Sequence, residues 1–233
     1  MPSNRRKFLG QSLASVAGIA ATAMIPNHIF GHNLHNTSRP EEIILPTNNP
    51  SSIKESIKFS VIGLNHGHIY GMVDALLTGG GSLVAVYARE PELLQQFTKR
   101  YPKVKIAKSE NEIIEDNSIQ LVASAAIPVE RAPIGIRVMK SGKDFMADKP
   151  GILTLEQFNE VKKVQKETKR IYSIMYSERL GNPASVKAGE LVSAGAIGKV
   201  VQTIGLGPHR MRPESRPDWF FDPKKAGGIL CDI

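Results

Sequence analysis

The sequence predicts an α/β chain: a Rossmann-type, doubly wound parallel sheet followed by the start of an α+β unit. Three observations predict it. Residues 58–63 are apolar in character and residues 83–88 form a continuous rather than alternating apolar run, as expected of parallel strands covered on both faces. Segments of helical spacing separate these runs, with short links between them. The first run also ends in Gly63-Leu64-Asn65-His66-Gly67-His68, a turn suited to carrying a parallel strand into a helix N-terminus, where backbone N–H groups can face a pyrophosphate.

Residues 58–63 make the first strand. Ile69, Met72, Val73, Leu76 and Leu77 then recur at helical spacing until Gly79-Gly80-Gly81 stops the helix. After the second strand at 83–88, Pro91 opens a helix carrying Leu93, Leu94, Phe97 and Tyr101, which Pro102 closes. The alternation continues with a strand at 104–107, a short helix around Ile113, a strand at 121–126, a helix at 134–139 and a strand at 145–147. Thr154-Leu155-Glu156-Gln157 is a capping box, and Leu155, Phe158, Val161 and Val164 are expected to form the buried stripe of the helix it begins. Residues 171–175 supply the next strand. Such alternation implies an open parallel sheet with helices on both faces.

A second unit begins near Ser177. Asn182-Pro183 starts a helix that Gly195 stops, and residues 199–206 are expected as a strand. A polar, proline-rich stretch at 208–225 leads to an apolar ending, Gly227-Gly228-Ile229-Leu230-Cys231-Asp232-Ile233. The expected divisions are an export signal at 1–30, a linker at 31–56, a dinucleotide-binding domain at 57–176 and a partial substrate domain at 177–233.

The formal charge of +8 includes Arg5, Arg6 and Lys7, which sit in a stretch at 1–23 with no Asp or Glu. No basic stripe interleaved with aromatics appears elsewhere, so no nucleic-acid partner is expected. Cys231 is the only cysteine, which excludes an internal disulfide and a multi-thiolate metal site. His28, His32 and His35 lack accompanying carboxylates or thiolates at a fixed spacing, so no metal is expected there. Asn4-Arg5-Arg6-Lys7-Phe8-Leu9-Gly10 precedes a moderately apolar run ending at Ile25, and Ala21-Thr22-Ala23 offers a cleavage site. This resembles a twin-arginine export signal, which implies a periplasmic protein that is carried already folded by the twin-arginine machinery. The alternative is an uncleaved membrane anchor, although Gln11, Ser12, Ser15 and Gly18 interrupt its run.

Asp148-Lys149-Pro150 puts a lysine at the mouth of the same sheet. Together with the Gly63 turn, the segment Ala194-Gly195-Ala196-Ile197-Gly198-Lys199-Val200 and the glycine-led ending, it resembles the glucose-fructose oxidoreductase, inositol dehydrogenase and MocA (Gfo/Idh/MocA) family. The resemblance runs from about Lys58 to the last residue. It implies an NAD(P)-dependent oxidoreductase that transfers hydride between a nicotinamide and a sugar or cyclitol. Lys149 would be catalytic, hydrogen-bonding the reacting hydroxyl or carbonyl and helping to move its proton. An NAD-dependent glycoside hydrolase of the same family and a non-catalytic cofactor- or sugar-binding protein remain as alternatives.

The resemblance places Gly63, Asn65, His66, Gly67 and His68 at the cofactor. Only the first glycine of G-x-G-x-x-G is present, since Asn65 and His68 occupy the other two positions. Asn65 is expected to tolerate the turn's backbone angles; His66 and His68 either line the mouth or orient the turn. Ile127, Pro128, Lys149, Pro150 and Arg179, which follows Glu178, are further expected cofactor contacts. At the end of the second strand stands Arg89, where a guanidinium suits a 2′-phosphate and favours NADP over NAD; Glu90 is the alternative ribose partner. Arg216, Trp219 and Asp232 fall in stretches that the resemblance places facing the cofactor or a sugar; Trp219 is expected to stack on a sugar ring and Asp232 to accept its hydroxyls, with His209 and Arg210 as weaker candidates. In the family the last segment leads into Gly-x-His and a further helix. The chain is therefore expected to stop within its substrate domain, short of a catalytic histidine, and as it stands to bind a dinucleotide without turning over a sugar. The full-length protein is expected to be a homo-oligomer.

Overall fold

Six strands, β1 (Ile57–Ile62), β2 (Gly81–Tyr87), β3 (Lys105–Ile106), β4 (Leu121–Ser124), β5 (Asp144–Asp148) and β6 (Tyr172–Met175), pair in parallel in the order β3-β2-β1-β4-β5-β6. This computed structural model describes residues 57–177, 182–206 and 210–232; the expected export signal, the linker, Glu178, Arg179 and His209 lie outside them. None of the helices among the described residues is long and apolar enough to cross a membrane. The strand order is that of a doubly wound sheet. It reverses direction between β1 and β4, which opens a crevice beyond their C-terminal ends.

Helices α1 (His68–Thr78), α2 (Pro91–Arg100), α3 (Glu110–Glu115), α4 (Pro128–Lys140) and α5 (Leu155–Thr168) connect the strands. Successive side chains of β1 leave opposite faces of the sheet. Phe59 and Val61 pack with Ile69, Met72, Val73 and Phe97 on one side. Ile62 packs with Val122, Ile134, Val138 and Phe145 on the other. A strand with both faces covered takes apolar residues at nearly every position; Ser60 in β1 is the exception, fully buried with its hydroxyl accepting from the Ala85 N–H at 3.1 Å.

Helix α4 starts six residues before the expected stretch at 134–139. Pro128 occupies its first turn, where a missing N–H costs nothing. Pro133 then lies inside the helix, where it cannot donate to the carbonyl of Val129. Gln157 compensates: its Nε2 donates to the Val129 oxygen at 3.1 Å, while its Oε1 accepts from the Leu153 N–H at 2.9 Å. The Thr154 hydroxyl caps α5 by accepting from the Gln157 N–H at 3.1 Å. The predicted capping box is thus present, except that Gln157 reaches back one residue further. Its buried stripe is shorter than expected. Val161 and Val164 are buried against Ala132 and Met139 of α4, but Leu155 is 75% exposed and Phe158 is also exposed, under the ammonium of Lys162.

Beyond β6 come α6 (Pro183–Ser193), two short 3-10 turns at Pro213–Ser215 and Asp218–Phe221, α7 (Pro223–Ala226) and α8 (Ile229–Asp232). Asn182 caps α6 by accepting from the Ala184 N–H at 2.9 Å. The strand expected at 199–206 is not formed: residues 201–206 carry no regular structure, and Val201, Ile204 and Leu206 are exposed. A strand needs a neighbour to take up its backbone groups, and no described strand stands beside this segment.

Candidate active site

The turn after β1 sits at the sheet's topological switch. Gly63 has φ +85°, and a Cβ there would lie 2.5 Å from the Ala126 Cβ and 2.8 Å from its Cα, so only glycine fits. Its N–H donates to the Tyr87 carbonyl at 2.8 Å, and its carbonyl accepts from the Ala125 N–H at 3.2 Å. The ends of β1, β2 and β4 are thereby tied together. Asn65 keeps a negative φ, and its amide joins the turn to the next strand's end, Nδ2 donating to Glu90 Oε1 at 2.7 Å. Gly67 starts α1 with no side chain capping the helix, no acidic residue in its first turn, and nothing within 4 Å of where a Cβ would project. An uncapped N-terminus left open beside the switch point fits a pyrophosphate.

Arg89, Glu90, Glu110 and Glu130 line a small cleft beside Gly63 and Asn65. The Arg89 guanidinium donates to Glu130 Oε1 at 2.7 Å and approaches Glu110 Oε1 at 3.4 Å. Its hydrogen bond to Glu130 and that carboxylate's charge raise its pKa above the ordinary arginine value. Glu110 also pairs with Arg137.

Under the turn lies a cluster centred on Asp148, at the end of β5. Asp148 and Arg131 are each only 1% exposed. His66 Nδ1 lies 2.7 Å from Asp148 Oδ2 and His68 Nδ1 lies 2.9 Å from Oδ1. Arg131 approaches Oδ2 at 3.2 Å, and the Lys149 N–H donates to Oδ1 at 2.8 Å. The remaining Arg131 donors hold the carbonyls of Ala126 at 2.7 Å, Lys149 at 2.7 Å and Pro150 at 3.1 Å. Arg131 therefore ties the start of α4 to the Asp148-Lys149-Pro150 segment, whose Lys149–Pro150 peptide is cis. Burial alone would push the Asp148 carboxyl up; the two imidazole hydrogen bonds and the Arg131 charge outweigh it and hold the group well below the usual carboxylate range. Burial lowers the Arg131 guanidinium, and Asp148 opposes that shift.

His66, His68 and Asp148 bring ligand-capable atoms within 4.8 Å of one another, close enough for a metal ion. Their actual partners argue against that use. Both carboxylate oxygens already accept hydrogen bonds, and a buried guanidinium on the same carboxylate repels a divalent cation.

Lys149 projects into a cavity of about 170 Å³ whose lining includes His66, Pro128, Pro150, Trp219 and Asp232. Its Nζ donates to Asp232 Oδ1 and to the Asp232 carbonyl, both at 2.9 Å. Lys149 and Asp232 are 13% and 17% exposed, so the pair is largely withdrawn from water. Five of the expected contacts thus meet Lys149 in one cavity, while Gly63, Asn65 and Arg89 share the smaller cleft. Gly67 and His68 line a third depression with Asp148, and Ile127 immediately precedes α4 without a side-chain hydrogen bond to its N-terminus. Arg216 lies instead over the Phe220 ring, donating to the Met211 carbonyl. The sequence reading gave no role to Arg131, although a charged residue on the face shared by Ile134, Gly135 and Val138 was a usable signal.

Residues 57–176 match the family model described as oxidoreductase family, NAD-binding Rossmann fold (GFO_IDH_MocA). The chain belongs to the Gfo/Idh/MocA family. A crystal structure from Erwinia carotovora atroseptica SCRI1043, described as an oxidoreductase, superposes with a TM-score of 0.74 at 43% identity, over 76% of this chain and 53% of that one. The uncharacterized oxidoreductase YdgJ of Escherichia coli (strain K12) is 24% identical over 78% of this chain and 51% of its own length. The scyllo-inositol 2-dehydrogenase (NAD(+)) of Bacillus subtilis (strain 168) is 25% identical over 77% of this chain and 51% of its own length. The chain thus spans about half the length of these curated relatives. In this Gfo/Idh/MocA member the matched region ends one residue after β6, so the dinucleotide-binding half is the part the family model covers.

Proposed function

We propose that the protein is an NAD(P)-dependent oxidoreductase acting on a secondary alcohol, or the matching carbonyl, of a sugar or cyclitol. The observation that carries this reading is the placement of Lys149 Nζ, beside Asp232, in a cavity that adjoins the Gly63 turn. A bound nicotinamide would supply the hydride acceptor or donor. The turn from Gly63 to Gly67 and the N-terminus of α1 would hold its pyrophosphate, and Arg89 and Glu90 would meet the adenosine ribose. The chain's own part is orientation and proton handling. Lys149 can hold a hydroxyl by donating from Nζ, Asp232 can accept from a neighbouring hydroxyl, and the Trp219 ring offers an apolar face to the sugar's C–H side.

The cofactor leaning expected from Arg89 alone shifts once its partners are counted. A 2′-phosphate would have to draw the guanidinium from Glu130 and Glu110, in a cleft that also holds Glu90. Glu90, held by Asn65, would accept a ribose hydroxyl, a reading that favours NAD. The deciding experiment incubates the full-length protein with NAD+ or NADP+ and a panel of sugars and cyclitols and follows reduced nicotinamide by absorbance. Growth of that signal with one cofactor supports the reading. Sugar release from glycosides without net reduction would point to the hydrolase alternative, and binding without any turnover to a non-catalytic protein.

Periplasmic location belongs to the same proposal, resting on Arg5, Arg6 and the apolar run behind them. Changing both arginines to lysine should leave unprocessed protein in the cytoplasm; normal periplasmic accumulation of that variant would end the twin-arginine reading.

A further inference from the structure

We propose that His66 is a second proton-handling residue of the Lys149 cavity, locked by Asp148 as the Nδ1–H tautomer so that Nε2 is the nitrogen offered to substrate. This rests on the oxidoreductase reading above. Two observations place the residue. His66 belongs to the cavity lining together with Lys149 and Asp232, although it comes from a different segment, the turn after β1. Its Nδ1 is committed to the Asp148 carboxylate at 2.7 Å.

A buried carboxylate that stays ionised can only accept at this contact, so Nδ1 must carry the hydrogen. In the neutral ring Nε2 is then a bare acceptor, and the ring's orientation is fixed from behind, in the way a carboxylate fixes a catalytic imidazole. His68 adds to the constraint. Its ring meets that of His66 edge-on, with centroids 4.2 Å apart, and its own Nδ1 occupies the other carboxylate oxygen. Arg131 holds the carboxylate from the α4 side, so Asp148 has little freedom to turn away.

The proton balance gives such a group a use. When a hydroxyl becomes a carbonyl, the O–H bond breaks and its proton requires an acceptor, while the carbon's hydride leaves for the oxidised nicotinamide and the oxygen keeps its electron pair. Lys149 Nζ, as an ammonium, has donors only and can hold the oxygen but not take that proton. His66 Nε2 can. Among the described residues the division of labour is then Lys149 as the orienting donor and His66 as a proton acceptor, with the role of His66 reversed when a carbonyl is reduced.

The decisive variant is His66→Asn, whose side-chain amide can still donate to Asp148 as Nδ1 does but which has no counterpart of Nε2. In the full-length protein, with the best-oxidised member of the sugar and cyclitol panel, it should lower kcat by about 10²-fold. KM for the sugar and thermal stability should change little, and any loss of NADH affinity measured by fluorescence should be far smaller than the loss of kcat. Turnover equal to that of the unmodified protein would reduce His66 to a structural prop and overturn the proposal. Independently of turnover, 15N NMR of histidine-labelled protein should show His66 with a protonated Nδ1 and a bare Nε2 when neutral. The opposite tautomer would overturn the proposal even in an active enzyme. Failure of the whole panel with both cofactors would remove the oxidoreductase reading and the base role with it, while the tautomer result would still decide the geometry.

Discussion

The two halves of the described chain differ in how they hold their shape. Residues 57–177 bury both faces of a parallel sheet, and their one charged cluster of note, Asp148 with Arg131, is sealed inside and fully bonded. Among the described residues from 182 to 232, Ala226 alone is buried, and Val201, Ile204, Leu206 and Leu230 are exposed. Yet the second half supplies Trp219 and Asp232 to the cavity around Lys149. The first half therefore builds its site from internal packing. The second reaches that site through local contacts at the sheet's mouth, such as Gly227 against Leu153 and Asp232 against Lys149.

If that contrast is right, substitutions of similar size should cost very different amounts in the two regions. Arg131→Met should be the most damaging, destabilising the protein by about 3–5 kcal/mol in denaturant unfolding, because it leaves Asp148 buried beside one cation fewer and three carbonyls without their donor. A loss under about 1 kcal/mol would mean that the cluster is wet, and the contrast would fail.

Asp148→Asn should cost about 2 kcal/mol at neutral pH, the scale of hydrogen bonds to a buried charge. The sign of its pH dependence follows from the depressed carboxyl. The stability it contributes is fully present above the unfolded carboxylate pKa of about 4 and is lost as pH falls toward the lower folded value. The gap between the unmodified protein and the variant should therefore narrow below about pH 4, measured by chemical denaturation across a pH series. A gap that widened on acidification would mean that the carboxyl is not held low.

At the small end, Val201→Ser and Leu206→Ser should stay within about 0.5 kcal/mol of the unmodified protein, as exposed positions do. They should also reduce self-association measured by sedimentation. Losses of about 2 kcal/mol or more would show these side chains to be buried in the protein tested.

The same contrast explains what the sequence disclosed. Strands β1, β2, β4 and β5 were readable because double-sided burial favours dominantly apolar, non-alternating runs, a local signal of a global fact. The start of α4 was missed because Pro133 looks like a breaker until Gln157, twenty-four residues on, is seen to take up the carbonyl it strands. Residues 199–206 have strand-like composition, but a strand is made by its neighbour and composition carries no record of one. At the site, Gly63 and Lys149 were legible from motif and spacing. The joining of His66, His68 and Arg131 on Asp148 was not, because it depends on three segments that meet only in the folded sheet.

The central claim is that one half binds the dinucleotide while Lys149, at the junction, acts on the substrate. It is tested most directly by Lys149→Ala in the full-length protein, with NADH affinity and single-turnover rate measured side by side. The account predicts a chemical step slowed by about 10²-fold or more with cofactor affinity nearly unchanged. An unchanged rate, or a loss of cofactor binding as large as the loss of rate, would contradict it.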